Sequence, residues 1–358
     1  MNITITRSES SRLAEVDFDN LPFGRIFSDH IFICDYIDGQ WQDARIEPFH
    51  NFSMHPASMV LHYGQAIFEG MKAFKDKDGT PVLFRPELHG TRLNASARRI
   101  CMAEFPEDVF LEAIHKLVEI DQDWIPPQEG SGLYIRPTMI STDEFIGVKP
   151  SSTYRFFIFT CPVGPYYSAP VKLWADTEYI RAALGGTGEA KFAGNYGAAL
   201  YPAKVAQQKG YDQVLWLDAK EHKYIQECGT MNIMFVIDGK VITPPLYGTI
   251  LKGITRDSAI QILRDAGYTV EEKMITIDDV VVAHENGTLQ EAFGVGTAAV
   301  VSHVSTIGYK DKVMELPSLD NRKVGELIKS TINGMRSGRL EDKHGWVVPV
   351  GTEVGATA

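Results

Sequence analysis

The sequence predicts an α+β fold in two domains, with antiparallel pairing dominant, and three observations carry that prediction. Asp-Gly dipeptides at Asp38-Gly39, Asp78-Gly79 and Asp238-Gly239 each sit between short apolar segments, the signal of a tight hairpin. Strand-like segments outnumber regular strand–helix–strand units, which disfavours a doubly wound parallel sheet. The length, 358 residues, suits two compact domains.

The elements follow in chain order. After a first part of strands and hairpins, PEDVFLEAIHKLVEI predicts a helix with Pro106 in its first turn. Val109, Phe110, Ala113, Ile114, Leu117 and Val118 form its single apolar stripe. The strand YRFFIFTC then runs into PVGPYYSAP, whose Pro, Gly and Tyr content marks a boundary. This places one domain at 1–163, a linker at 164–173 and a larger domain at 174–358, all of ordinary size. The clearest hairpin, IMFVI-DG-KVIT, spans Ile233 to Thr243. TRDSAIQILRDAG predicts a helix from about Thr255 that stops at Gly267, a C-terminal glycine. The chain after Gly345 reads as a final strand followed by a frayed end.

Composition narrows the function. The 44% hydrophobic and 23% charged content is that of an ordinary soluble protein. A net charge of −11 argues against nucleic acid as the main partner, while leaving room for local cations that bind a small anion. Cys34, Cys101, Cys161 and Cys228 are widely spaced with no CxxC pair, which fits free thiols in a reducing compartment. The N-terminus has no apolar core and carries Glu9, Glu15, Asp17 and Asp19, wrong for a transit peptide. No run of about 18 apolar residues occurs, so no membrane span is expected and the cytoplasm is the expected location.

Several site patterns are absent. No HExxH, GxSxG or paired cysteine ligands occur, and no metal site is expected. In GGTGEAKF the lysine is neither preceded by Gly nor followed by Ser or Thr, so the P-loop pattern fails. Asp76-Lys77-Asp78-Gly79 is too short for a calcium loop and reads as a turn.

The informative stretch is Gly185-Gly186-Thr187-Gly188-Glu189-Ala190-Lys191-Phe192-Ala193-Gly194-Asn195-Tyr196-Gly197, followed by the helix-like AALYPAKVAQQKG. Glycines this dense let the backbone turn sharply and approach a ligand closely. A lysine in low-dielectric surroundings loses its proton more readily, and a neutral amine forms an imine with an aldehyde. Composition alone leaves Lys191 a surface lysine, as most lysines are.

The stretch resembles the cofactor-lysine segment of branched-chain-amino-acid aminotransferases, members of the fold-type IV class of pyridoxal-phosphate enzymes. FGRIFSDHIF, HPASMVLHYGQAIFEGMKAF, LFRPELHGTRLNASARR, LYIRPTMI, QVLWLD, QECGTMNIMFV, TPPL..GTILKGITR and FGVGTAA resemble further segments of that family, in the family's order, from about Phe23 to Ala299. The resemblance implies the two-domain, D-amino-acid aminotransferase-like architecture. It also implies reversible ping-pong transfer of an amino group between Leu, Ile or Val and 2-oxoglutarate, in a homodimer.

The resemblance also implies roles. Lys191 would hold the pyridoxal 5'-phosphate as a Schiff base and shuttle a proton. Glu227 would face the pyridine nitrogen and Tyr196 the phenolic oxygen. The phosphate would meet the fork of Arg92, backbone N–H groups of Ile254 and Thr255 at a helix start, and Thr297. Thr255 reads equally as a plain helix cap. Phe23, Tyr63, Phe68, Tyr134, Tyr166, Thr230 and Ala298 would wall the substrate pocket. Arg136 would meet the glutamate side-chain carboxylate, and N–H groups near Thr297 and Ala298 the α-carboxylate. Core packing is the competing reading for any single Phe or Tyr among them. Some family members carry a CxxC pair after the GTA element. This chain has GTAAVVSHV, with Ala299 and Ser302, so no thiol switch is expected there. D-amino-acid aminotransferases and aminodeoxychorismate lyases share the fold type and are the nearest alternatives; a non-catalytic vitamin B6-binding protein is a third.

Overall fold

Turn chemistry explains why strands pair antiparallel so often in the computed structural model, which describes residues 1–164 and 169–351. Asp38 and Gly39 (φ 52° and 78°) and Asp238 and Gly239 (φ 50° and 73°) are both left-handed, as a two-residue turn matched to strand twist requires. The third Asp-Gly pair differs: Gly79 alone has positive φ (82°). There the Asp76 carboxylate accepts the N–H groups of Asp78 and Thr80, making a wider turn.

The first sheet runs Thr4–Ile5, Gln40–Pro48, His30–Ile37, Tyr154–Val163, Gly132–Ser141, Met71–Lys75, Pro81–Phe84 and Val347–Pro349, with Ala66–Phe68 also paired to Gly132–Ser141. Thr4–Ile5 is parallel to Gln40–Pro48, and the other pairings are antiparallel. The helices Pro86–Arg99 and Glu107–Ile120 bury their apolar stripes with one set of alternating strand residues, including Leu83, Leu133, Ile135, Phe156 and Ile158. All six residues of the expected stripe on Glu107–Ile120 are buried, each worth about 1.5–3 kcal/mol for the larger side chains. Strand alternation sends Tyr134 and Arg136 to the face opposite Leu133 and Ile135. Pro106 is not in the first turn of that helix. Its ψ of 125° is extended, so it serves as the N-cap, and its carbonyl accepts the Phe110 N–H.

In the second sheet, pairing closes on itself. Ile225–Cys228, Gln213–Leu217, Val171–Ala175, Val300–Tyr309, Leu289–Gly296 and Met231–Ile237 are neighbours in that order, and the last pairs back to the first. A closed ring has no free edge strand. Lys240–Thr243 with Val270–Glu272, and separately Lys312–Glu315, extend from it. Leu173, Leu215, Ile225, Ile233, Phe235 and Ile307 form its core together with Ile277, Val280 and Val281 of the helix Ile277–Glu285. The helix expected from about Thr255 is Ile254–Asp265, and Gly267 (φ 81°) follows it as expected.

The chain divides into two compact units: Met1–Tyr166 with Ala190–Gly194 and Asn333–Ala358, and Tyr167–Glu189 with Asn195–Ile332. The expected domain from 174 to 358 is therefore divided differently. Val347–Pro349 joins the first sheet by pairing with Pro81–Phe84, and the Lys191 segment is bonded to the same unit. The final strand is present; the frayed end expected beyond it lies outside the described residues. Among the described residues no helix is long and apolar enough to cross a membrane.

Candidate active site

Within the first unit, two hydrogen bonds fix the backbone of Lys191. Its N–H donates to Oγ of Ser96 at 2.9 Å, and its carbonyl accepts the N–H of Phe68 at 3.1 Å. Its Nζ stands 4.8 Å from the centroid of the Phe68 ring. The helix Pro86–Arg99 presents His89, Arg92 and Ser96, spaced three and four apart and hence on one face.

Beside Phe68 lies Glu69, with 0% exposure. Arg92 donates Nε–H to one oxygen of Glu69 at 2.7 Å and from Nη2 to the other at 2.8 Å. The fork expected to grip a phosphate is thus closed on a carboxylate. Nδ1 of His89 lies 2.7 Å from Glu69. Burial by itself raises the proton affinity of Glu69. The Arg92 charge and the bonds from Arg92 and His89 outweigh it and hold the carboxyl well below the usual carboxylate range. Burial pushes the His89 imidazole down despite Glu69, so at neutral pH it is the neutral ring that donates to the carboxylate.

Arg136 has a different setting. Its Cζ lies 4.5 Å from the centroid of the Phe68 ring and 5.3 Å from that of Tyr134, and Nη2 donates to the Tyr134 hydroxyl at 3.0 Å. Its Nε is buried without a hydrogen-bond partner, and no carboxylate among the described residues pairs with it. Phe23 packs edge-on against Tyr134, with ring centroids 5.4 Å apart. Gly70 is required here, because a Cβ would stand 2.1 Å from the Tyr134 hydroxyl oxygen. Phe23, Phe68, Tyr134, Arg136, Arg92 and Lys191 all belong to this unit. Tyr63, at the end of the short helix Met59–Tyr63, is exposed. Tyr166 lies outside the described residues.

The second unit carries the remaining candidates. Glu227, on the strand Ile225–Cys228, is buried at 4% exposure. One of its oxygens accepts the Leu251 N–H at 2.9 Å and the Asn232 amide at 3.3 Å; the other lies 3.1 Å from Nε of Arg181. That last contact is an ion pair without hydrogen-bond alignment. Arg181 also donates to the carbonyls of Gly188 and Thr249. Asn232 donates to the Leu251 carbonyl as well, which ties Glu227 to the loop entering the helix Ile254–Asp265. Gly253, with extended backbone at ψ 123°, is the N-cap of that helix, and a Cβ there would come within 1.9 Å of the Asn232 side-chain oxygen. Ile254 and Thr255 are therefore the first two helical residues, and Thr255 is not the cap. Their N–H groups lie in the first turn, where no intrahelical acceptor exists and the dipole favours an anion.

Thr297 and Ala298 form, with Ala299, the turn joining Leu289–Gly296 to Val300–Tyr309. Val300 closes the turn at φ 61°, an outlying conformation for a β-branched residue, of the kind that ligand-binding turns retain. Thr230 is exposed in the turn before Met231–Ile237, and Tyr196 is half-buried on the helix Ala193–Gln208. The glycine stretch is held by Thr187, whose hydroxyl donates to the Asn195 side chain while its carbonyl accepts the Asn195 amide.

Glu69, Ser96, Arg181 and Asn232 are the contributors that sequence reasoning missed. Glu69 and Asn232 stand inside EGMKAF and ECGTMN, where an acid or amide amid apolar and glycine residues was the available signal. Nothing in the local sequence singles out Ser96 or Arg181. Within the first unit Lys191 offers a primary amine; within the second, Glu227 offers a buried carboxylate and Ile254 and Thr255 offer helix-start N–H groups. Each of these is a group type that a phosphorylated pyridine aldehyde can engage: an amine its carbonyl, a carboxylate its ring nitrogen, and N–H groups its phosphate.

The chain matches the family model of class IV amino-transferases over residues 66–307. It is 47% identical over 348 residues to branched-chain-amino-acid aminotransferase 2 of Bacillus subtilis (strain 168), covering 95% of each chain. It is similar to the crystal structure of the branched-chain amino acid aminotransferase of Escherichia coli, with a TM-score of 0.74 and 27% identity over 90% of this chain and 99% of that one. A further solved branched-chain amino acid aminotransferase, from T.th. and complexed with N-(5'-phosphopyridoxyl)-L-glutamate, matches with a TM-score of 0.72 and 26% identity, over 89% of this chain and 98% of that one.

Proposed function

Because the chain belongs to the branched-chain-amino-acid aminotransferases of the class IV family, we propose how its own residues carry that reaction. The fold is that of fold-type IV. The amino group passes reversibly between Leu, Ile or Val and 2-oxoglutarate, giving branched 2-oxo acids and glutamate. When bound, pyridoxal phosphate supplies the carbonyl that takes the amino group and an electron sink for the substrate α-carbon. Lys191 Nζ removes and returns the proton at that α-carbon. Glu227 holds the proton on the pyridine nitrogen, Tyr196 bonds the phenolic oxygen, and Arg92, Ile254, Thr255 and Thr297 hold the phosphate. The N–H groups at Thr297 and Ala298 hold the α-carboxylate. Phe23, Phe68, Tyr134, Thr230 and Ala298 wall the side-chain pocket.

One observation carries the dual specificity: the centroid of the Phe68 ring lies 4.8 Å from Lys191 Nζ and 4.5 Å from Cζ of Arg136. The Phe68 ring thus offers apolar contact to an aliphatic side chain. Arg136 leaves a cation without an acid partner for the distal carboxylate of glutamate. The decisive experiment follows absorption of the holoprotein. Leucine alone is expected to bleach the visible cofactor band, and 2-oxoglutarate to restore it; a response to D-amino acids in place of leucine would remove the proposal. In the same assay Arg136→Met should raise the KM for glutamate and 2-oxoglutarate about 10- to 100-fold, the worth of a charged hydrogen bond of about 1.5–3 kcal/mol. The leucine half-reaction should stay nearly unchanged, and an equal loss with both substrates would refute Arg136's assignment.

We also assign a homodimer and a cytoplasmic setting. Leu61, Tyr63, Ile146 and Val148 expose large apolar surface on the first unit, which suits burial against a second copy and leaves Tyr63 to serve the partner's pocket. The four free cysteines suit a reducing compartment. Light scattering should give twice the chain mass and fractionation a cytosolic protein; a single-chain mass or an exported protein would remove the respective assignment.

A further inference from the structure

Glu69 has no part in the reaction as set out above, yet it is the most completely buried acid next to the Lys191 clamp. Its backbone N–H is bonded to the Pro137 carbonyl at 2.8 Å, one residue after Phe68 engages the Lys191 carbonyl. Its side chain meets two residues of the helix that also supplies Ser96 to the Lys191 N–H. A carboxylate with 0% exposure is costly to bury unless its partners are fixed. Here both oxygens are engaged and the guanidinium is gripped at Nε and Nη2 together, so its plane and its direction are set.

We infer that Glu69 is a positioning residue: its carboxylate, closed on Arg92 and held by His89, sets the orientation in which Arg92 meets the cofactor phosphate. This rests on the assignment of Arg92 to that phosphate. Two physical effects of Glu69 on phosphate binding oppose each other. Its negative charge repels a phosphate dianion, so by Coulomb's law alone its presence should weaken binding. Its fork removes the rotational freedom of a long side chain before the anion arrives, which strengthens binding by preorganisation. The inference is that orientation dominates. His89 contributes a third contact without adding charge, because its ring is neutral at neutral pH.

The test uses the full chain stripped of cofactor and measures its affinity for pyridoxal phosphate and for pyridoxal, which lacks the phosphate. Glu69→Asp keeps the charge and withdraws the fork by one methylene, so the Coulomb contribution stays while the grip is lost. The preference for pyridoxal phosphate over pyridoxal is expected to fall about tenfold or more, as for removal of other outer-sphere partners. A merely structural role would weaken both ligands equally, and that result, or an unchanged preference, would overturn the inference. Arg92→Gln separates the two claims. If it lowers the preference while Glu69→Asp does not, Arg92 keeps its role and Glu69 loses its own. If Arg92→Gln leaves the preference intact, the phosphate assignment fails and takes this inference with it. Should Glu69→Asp not fold, Glu69→Gln serves in its place: a weakened preference supports positioning, and a strengthened one shows that charge dominates and overturns it.

Discussion

Lys191→Ala should fold normally and transaminate nothing, with turnover down by at least about 10⁴-fold. The folding half of that expectation rests on geometry. The hydrogen bonds to Ser96 and to Phe68 are made by the backbone of residue 191 and survive the substitution. The side chain is only half-buried, so its removal leaves no enclosed core cavity. The catalytic half rests on chemistry: the amine is the group that exchanges the α-proton, and alanine offers none. Circular dichroism with a coupled leucine assay checks both parts. Retained fold with turnover near that of the parent chain would sink the assignment of Lys191.

Glu227→Gln should slow both half-reactions, on the order of 10²-fold, the usual cost of removing a preorganised electrostatic partner. Glutamine can still accept the Leu251 N–H, so the loop leading to the helix Ile254–Asp265 stays in place. The charge is gone, however, and an amide facing the Arg181 guanidinium no longer favours a proton on the pyridine nitrogen. The leucine and glutamate directions should suffer alike, since both need the same electron sink. That symmetry separates Glu227 from Arg136, whose loss should be felt with glutamate and 2-oxoglutarate alone. Single-turnover absorbance traces with each substrate supply the comparison, and unchanged rates would leave Glu227 with a purely structural place.

The sequence by itself determined what is local. The Asp-Gly turns at Asp38 and Asp238 demand left-handed backbone, and the structure has it at both residues of each pair. The stripe from Val109 to Val118 is legible because a buried helix face repeats every three or four residues. Lys191, Glu227 and Arg92 can be named from the sequence because each stands in a short segment that resembles the family's. Cap positions were less legible. Pro106 and Thr255 each fell one or two places from the expected role, since the helix boundary depends on ψ angles set by packing.

Tertiary structure alone decided the partners. Arg92 and Glu69 are 23 residues apart and Lys191 and Ser96 are 95 apart, and no periodicity reports on contacts at that range. The fork expected to face phosphate closes on Glu69 because a buried carboxylate must find its cation within reach. The Lys191 segment and the strand Val347–Pro349 belong with the first unit because backbone hydrogen bonds hold them there. Local sequence encodes torsion angles and the faces of helices and strands. Which faces meet is settled only when burial and hydrogen bonding are satisfied across the whole chain.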